Sequence, residues 1–299
     1  AFTATSACSP SRAIYFTGTY PSIHHVKSTP PVPGLSPKQL NLSRLLSSTH
    51  TVAYKGKWHM NLPFSYFGQG PESAKHSDLD SFMWSQYDVH VLEHEFNTPG
   101  WNPPDDANYL DLAPLIAGGA PNNDRRFVQG VPDPQEEVTR MLPGIGGSAI
   151  DFLNEYDPTK QPPFFLTVSL GNPHDVGTFP NPLLEDWGYP LKDYQDLDVS
   201  FPDNYDDHLR HKPRVQKLFR RYLDKAAPLD DRTDRLHYMR FYAHLHQWAD
   251  KQITALLDAL DRNGLTEDTL IVRFADHGEM GLSHRMRQKH YNVYEEALN

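Results

Sequence analysis

The chain of 299 residues holds one cysteine, Cys8, so no disulfide can form within it. Long apolar runs are missing as well. Hydrophobic residues make up 38% of the chain and the mean hydropathy is −0.63, which leaves no room for a membrane-spanning helix. No acidic residue precedes Glu72. No internal repeat or low-complexity tract is present. Positive charge is in deficit: 28 Lys and Arg stand against 38 Asp and Glu, a net charge of −10 that argues against nucleic acid or other polyanions as partners. No signal peptide is visible. Unpaired cysteine fits both a cytoplasmic and a periplasmic location, so the compartment stays open. What is abundant is proline (26) and tyrosine (15), a composition of long, structured loops around a core.

A lone cysteine is either a small buried hydrophobe or a reactive centre. Cys8 stands in Cys8-Ser9-Pro10-Ser11-Arg12, followed by Thr17-Gly18. Pro10 suits a first helical turn, and Gly18 suits a helix stop. The spacing predicts a short helix over 11–17, with Cys8 just before its N-terminus. Free N–H groups and the macrodipole favour negative charge there, and Arg12 adds a fixed cation.

Three further blocks carry chemistry. In Ala53-Tyr54-Lys55-Gly56-Lys57-Trp58-His59, residues 50–55 read as a short strand, after a helix expected to start at Ser36-Pro37. In an extended segment Lys57 and His59 face the same side, a cation beside an imidazole. Residues 162–170 form a near-continuous apolar run, expected as a strand buried on both faces of a parallel sheet, ending in Gly171-Asn172-Pro173-His174-Asp175. Ligands in open α/β sheets bind at that edge. Tyr242, Leu245, Ala249, Ile253, Leu256, Leu257 and Leu260 recur at helical spacing up to Asn263-Gly264. Thr269 to Phe274 then reads as a strand running into Ala275-Asp276-His277-Gly278-Glu279, and Lys289 precedes Tyr294-Glu295-Glu296. Taken singly, each block also reads as a surface Lys, a loop His or a capped turn.

In this order and spacing the blocks resemble the type I, formylglycine-dependent sulfatases of the alkaline phosphatase superfamily. The resemblance implies an α/β fold, a mixed and mostly parallel sheet sandwiched by helices. It implies hydrolysis of a small-molecule sulfate ester. By the same resemblance Cys8, oxidised to formylglycine by a formylglycine-generating enzyme, is expected to hydrate to the diol that attacks sulfur. Arg12 is expected to hold the diol, and Lys57 and Lys289 to neutralise the sulfate oxygens. His174 is expected to protonate the leaving oxygen, and His59 to take a proton from the second hydroxyl. Asp276 and His277 are expected to bind a divalent cation, calcium by preference. Manganese or zinc are the alternatives, because His277 is softer than the Asn often found there. Two other readings remain: a phosphonate monoester or phosphodiester hydrolase of the same superfamily, and a non-catalytic ligand-binding member.

The chain departs from the pattern in places. Thr49-His50 stands where the family usually has Gly-Tyr. The family also begins with a strand ending in metal-binding Asp residues and continues past Tyr-Glu-Glu. The chain is therefore expected to be a partial catalytic domain, lacking the first strand and the C-terminal subdomain. Its remaining metal ligands are expected upstream, and the ion is expected to bind weakly. Two loop-rich stretches, about 61–143 and 179–228, read as insertions that set substrate choice. The cluster His208, Arg210, His211 and Lys212 reads as a solvated face.

Overall fold

The computed structural model describes residues 2–29, 33–36, 38–60, 86–90, 124–125, 128–129, 148–182, 184–186 and 188–299. Its centre is a parallel sheet of β1 (Thr51–Lys57), β2 (Gln86–His90) and β3 (Phe164–Ser169), in the order β2-β1-β3. Tyr54 stands opposite Tyr87 on one side and Thr167 on the other.

Strand alternation sends successive side chains to opposite layers. Val52 and Tyr54 pack with Ala13 and Phe16 of α1 (Cys8–Thr17), together with Trp58 and Met60. Ala53 packs the other way, onto Phe152 and Leu153 of α3 (Ala149–Glu155) and Ala259 and Leu260 of α5 (Arg232–Arg262). In β3, Phe165 joins the α1 layer while Phe164 and Leu166 join the α3–α5 layer. The sheet is thus sandwiched by helices, as expected. Each β3 residue is only half-buried, rather than buried on both faces, because β3 is an edge among the described strands.

Local signals explain most boundaries. Gly18, at φ 65°, closes α1 by donating its N–H to the Ile14 carbonyl at 2.8 Å. The helix begins at Cys8 itself rather than after it. Asp231 caps α5, accepting from the Thr233 and Asp234 N–H groups at 2.7 and 2.9 Å. Asn263 and Gly264 end it as predicted. Gly56 is at φ 106°, and a Cβ there would lie 2.1 Å from the Ser169 carbonyl oxygen. Only glycine lets β1 and β3 approach so closely at the edge where the site forms.

Three expectations need correction. The helix before β1 is α2 (Leu42–Leu46), capped by Asn41, whose side chain accepts from the Arg44 N–H at 3.2 Å. Ser36 makes only a turn, its carbonyl accepting from the Gln39 N–H at 2.9 Å; Pro37 lies outside the described residues. Thr269–Phe274 is not a strand. No described strand runs beside it, and Leu270 is 90% exposed. The stretch 179–228 is irregular up to Pro213 but then forms α4 (Arg214–Ala226). The other stretch, 61–143, lies outside the described residues apart from β2 and four residues near Asp124. Among the described residues no helix is long and apolar enough to cross a membrane.

Candidate active site

The C-terminal ends of β1 and β3, the start of α1 and the loop after Phe274 converge on Cys8. The thiol is 2% exposed, and its Sγ lies 3.1 Å from His277 Nε2. Burial alone raises a thiol's pKa. The charges of Lys289 and His277 oppose it, with hydrogen bonds from His174 and His277, and the thiol is held well below its usual range.

Arg12 organises the floor. Its Nε donates to the Trp58 carbonyl at 2.9 Å, and its Nη2 to the Tyr54 hydroxyl at 3.0 Å and the Ser169 Oγ at 2.5 Å. The same nitrogen also donates to the Lys57 carbonyl. Nη1 pairs with Asp276 Oδ2 at 3.3 Å. One guanidinium therefore ties α1 to β1, to β3 and to the Asp276 loop, a fork that lysine cannot reproduce. Ser11 assists by donating to the Asp276 carbonyl, and its Oγ lies 2.6 Å from the Thr3 hydroxyl.

Asp276 feels burial, which raises its pKa, but His277 and Arg12 bring it below the usual carboxylate value. Burial depresses His277, yet Cys8 and Asp276 lift its imidazole above the ordinary value. His59, in the left-handed region at φ 56°, reaches Cys8 although it is not extended. Burial keeps it less basic than usual, and among the described residues its buried Nδ1 has no hydrogen-bond partner. His174 is pushed down to about 3, first by the Lys57 charge and then by burial. Lys289 is buried. Glu279 Oε1 fixes its loop, accepting from the Tyr238 hydroxyl at 2.7 Å and the Gln288 N–H at 2.6 Å.

The structure therefore brings Cys8, Arg12, Lys57, His59, His174, Asp276, His277 and Lys289 to one place. Among the described residues, the ligand atoms of Cys8, Asp276 and His277 all lie within 4.8 Å of one another. Sequence reasoning missed Tyr54 and Ser169, which orient Arg12, and Ser11, which was visible inside the Cys8 motif. It also missed Asp124, fully buried, whose carboxylate accepts from the Gly171 and Asn172 N–H groups at 2.7 and 3.0 Å. Asp124 gives no local signal, since its partners are about fifty residues away.

Comparison with known proteins shows what the chain is similar to. The chain is 26% identical over 301 residues to the uncharacterized sulfatase YidJ of Escherichia coli strain K12, covering 99% of this chain and 52% of that protein. Its fold resembles a 2-O GAG sulfatase structure with a TM-score of 0.60 and 20% identity, over 100% of this chain and 54% of the other. It also resembles the phosphonate monoester hydrolase of Agrobacterium radiobacter, with a TM-score of 0.54 and 19% identity, over 99% of this chain and 57% of the other. The chain thus spans about half the length of these relatives. The sulfatase family model matches residues 1–299, which shows that the chain belongs to the sulfatase family.

Proposed function

We propose that this chain carries the catalytic centre of a sulfuric ester hydrolase that cleaves a sulfate monoester with residue 8 as the nucleophile. The observation that carries the reading is the convergence of a buried, acidified Cys8 with Lys289, His277 and His174. Cationic and imidazole groups gathered around one buried nucleophile suit a tetrahedral anion.

Oxidised to formylglycine and hydrated, residue 8 supplies an oxygen nucleophile. The contacts of Sγ stand for those of that oxygen. Maturation requires a formylglycine-generating enzyme as partner. Arg12 keeps the start of α1 registered against both strands. Lys57 and Lys289 orient the sulfate oxygens. His174 is the proton donor to the leaving oxygen. Without an anion, Lys57 holds its imidazole neutral. A sulfate group between the two cations cancels their field and lets His174 take the proton it must give. His59, kept less basic by burial, accepts a proton from residue 8.

The donor set fits a divalent cation: a carboxylate, an imidazole and residue 8 within 4.8 Å. Oxidation of residue 8 replaces sulfur by oxygen, which favours calcium, while His277 keeps manganese and zinc as alternatives. When bound, the cation supplies Lewis-acid polarisation.

The test is peptide mass spectrometry on the tryptic fragment ending at Arg12, from protein made with a formylglycine-generating enzyme, followed by turnover of an aryl sulfate and a phosphonate monoester. An aldehyde at residue 8 with sulfate turnover is the expected result. Preference for the phosphonate would transfer the site to phosphonate hydrolysis. An unmodified thiol, under conditions that convert a control sulfatase, would demote catalysis in favour of ligand binding.

A further inference from the structure

Against the net charge of −10, one surface runs the other way. On α4, Arg214, Lys217, Arg221 and Lys225 recur at spacings of three, four and four residues. At 1.5 Å per residue they form a ridge about 16 Å long on one helix face. The inner face is turned elsewhere: Gln216 is buried, and Phe219 packs its ring 6.1 Å from His290 and 5.2 Å from Tyr291.

The ridge has no internal neutralisation. The only acid between residues 210 and 225 is Asp224, and its carboxylate faces Arg287 at 3.8 Å. Nearby Asp206 is taken by Arg285 at 2.5 Å. Among the described residues, no carboxylate pairs with any of the four ridge cations. Like charges at these spacings weaken a helix by a few tenths of a kcal/mol per pair. Such an uncompensated positive ridge is electrostatically complementary to an anionic partner.

The helix that carries the ridge packs its opposite, inner face beside the site. Phe219 touches His290, which follows the buried Lys289 and is itself within electrostatic reach of Cys8. Beside the ridge, Tyr222 is 63% exposed, and Tyr291, on the way to Lys289, is also 63% exposed. Cations with exposed aromatic faces suit a chain of sugar rings bearing several anionic groups.

We propose that the basic ridge of α4 is a docking surface for a polysulfated polysaccharide, which it holds while one sulfate of the same polymer enters the Cys8 site. The inference rests on the sulfatase reading for the second part only. It also qualifies the whole-chain charge argument against polyanions, because net charge averages away a local ridge.

The test measures binding of fluorescent dextran sulfate by anisotropy, with unsulfated dextran as control, and compares the protein with a variant carrying Arg214→Glu, Lys217→Glu, Arg221→Glu and Lys225→Glu. Expected are binding only to the sulfated polymer, affinity that falls with added salt, and at least a tenfold loss in the variant. KM for a sulfated polysaccharide should rise in the variant, while kcat/KM for a small aryl sulfate stays unchanged. A second variant with the same positions changed to Gln should lose affinity to a smaller degree. Unaltered polymer affinity in both folded variants would overturn the proposal. Equal affinity for a single-stranded oligonucleotide, lost with the same substitutions, would overturn the polysaccharide assignment. Absence of aryl sulfate turnover, with ridge-dependent polymer binding retained, would instead count against the catalytic reading.

Discussion

The Sγ of Cys8 lies 3.1 Å from Nε2 of His277, across a sequence separation of 269 residues. The other ring nitrogen, Nδ1, is 2.9 Å from the Gly278 carbonyl, which can only accept, so Nδ1 carries a proton. Nε2 is thereby aimed at residue 8. The lowered thiol and the raised imidazole are two expressions of one pair, which favours thiolate and imidazolium together. In metal-free protein with Cys8 unoxidised, the ultraviolet absorbance of the thiolate should titrate well below the range of a free thiol. His277→Ala and Lys289→Met should each move the midpoint upward, since burial then acts with less opposition. A midpoint that both substitutions leave in place would mean that the neighbouring charges do not set it.

Arg12 is 8% exposed and joins three segments through one side chain. Removing it leaves the partly buried Asp276 with His277 alone as its charged neighbour, and takes one donor each from the Trp58 and Lys57 carbonyls. Arg12→Ala should cost about 3–5 kcal/mol of stability, the usual cost of breaking a buried ion pair. Arg12→Lys should recover only part of this, because its three donors share one nitrogen and cannot span the acceptors that the guanidinium reaches from Nε, Nη1 and Nη2. Thermal or denaturant unfolding of the three proteins measures the difference.

Gly56 and Gly18 make a matched pair for testing the approach of β1 to β3. Both have positive φ, but a Cβ on Gly18 meets nothing within 4 Å, whereas on Gly56 it meets the Ser169 carbonyl. Gly18→Ala should cost about 1–2 kcal/mol, the backbone penalty alone. Gly56→Ala should cost about 3 kcal/mol or more, because the strands must also part. It should also reduce turnover in protein that remains folded, since Ser169 and Lys57 both hold Arg12. Equal losses from the two substitutions would show that the close approach is not needed.

These cases show what was legible in the sequence. Residues whose chemistry lies in a local pattern could be read: Cys8 with its Pro10 and Gly18, and Asp276-His277-Gly278 after a long amphipathic helix. Strand Thr51–Lys57 was recognisable within one or two residues. Thr269–Phe274 was misread because its β-branched and aromatic residues describe the propensity of a strand, while pairing depends on a neighbour that local sequence does not name. Asn41 was missed because Ser36-Pro37 offered an equally good cap a few residues earlier. Helix α4 was missed because its polar face is so highly charged that it reads as a solvated loop, and its inner face is short. Asp124 was illegible for a deeper reason: a buried carboxylate that caps two distant backbone N–H groups has no local signature.

The His174–Lys57 relationship gives the pH prediction. The Lys57 charge and burial push His174 down to about 3, so at neutral pH the anion-free ring is unprotonated. Because this pKa is depressed in the fold, the folded state loses stability as pH falls from the ordinary imidazole range toward about 3. Lys57→Gln removes the largest cause and leaves burial, so the His174 midpoint should rise without reaching the free value. Inorganic sulfate added to the unsubstituted protein should raise it as well, by placing negative charge against the same cations. Histidine NMR titration with and without sulfate reads both shifts. If sulfate lifts the midpoint and Lys57→Gln lifts it independently, His174 becomes a competent proton donor only when the anion is bound. A midpoint that sulfate leaves near 3 would transfer the leaving-group proton to another donor.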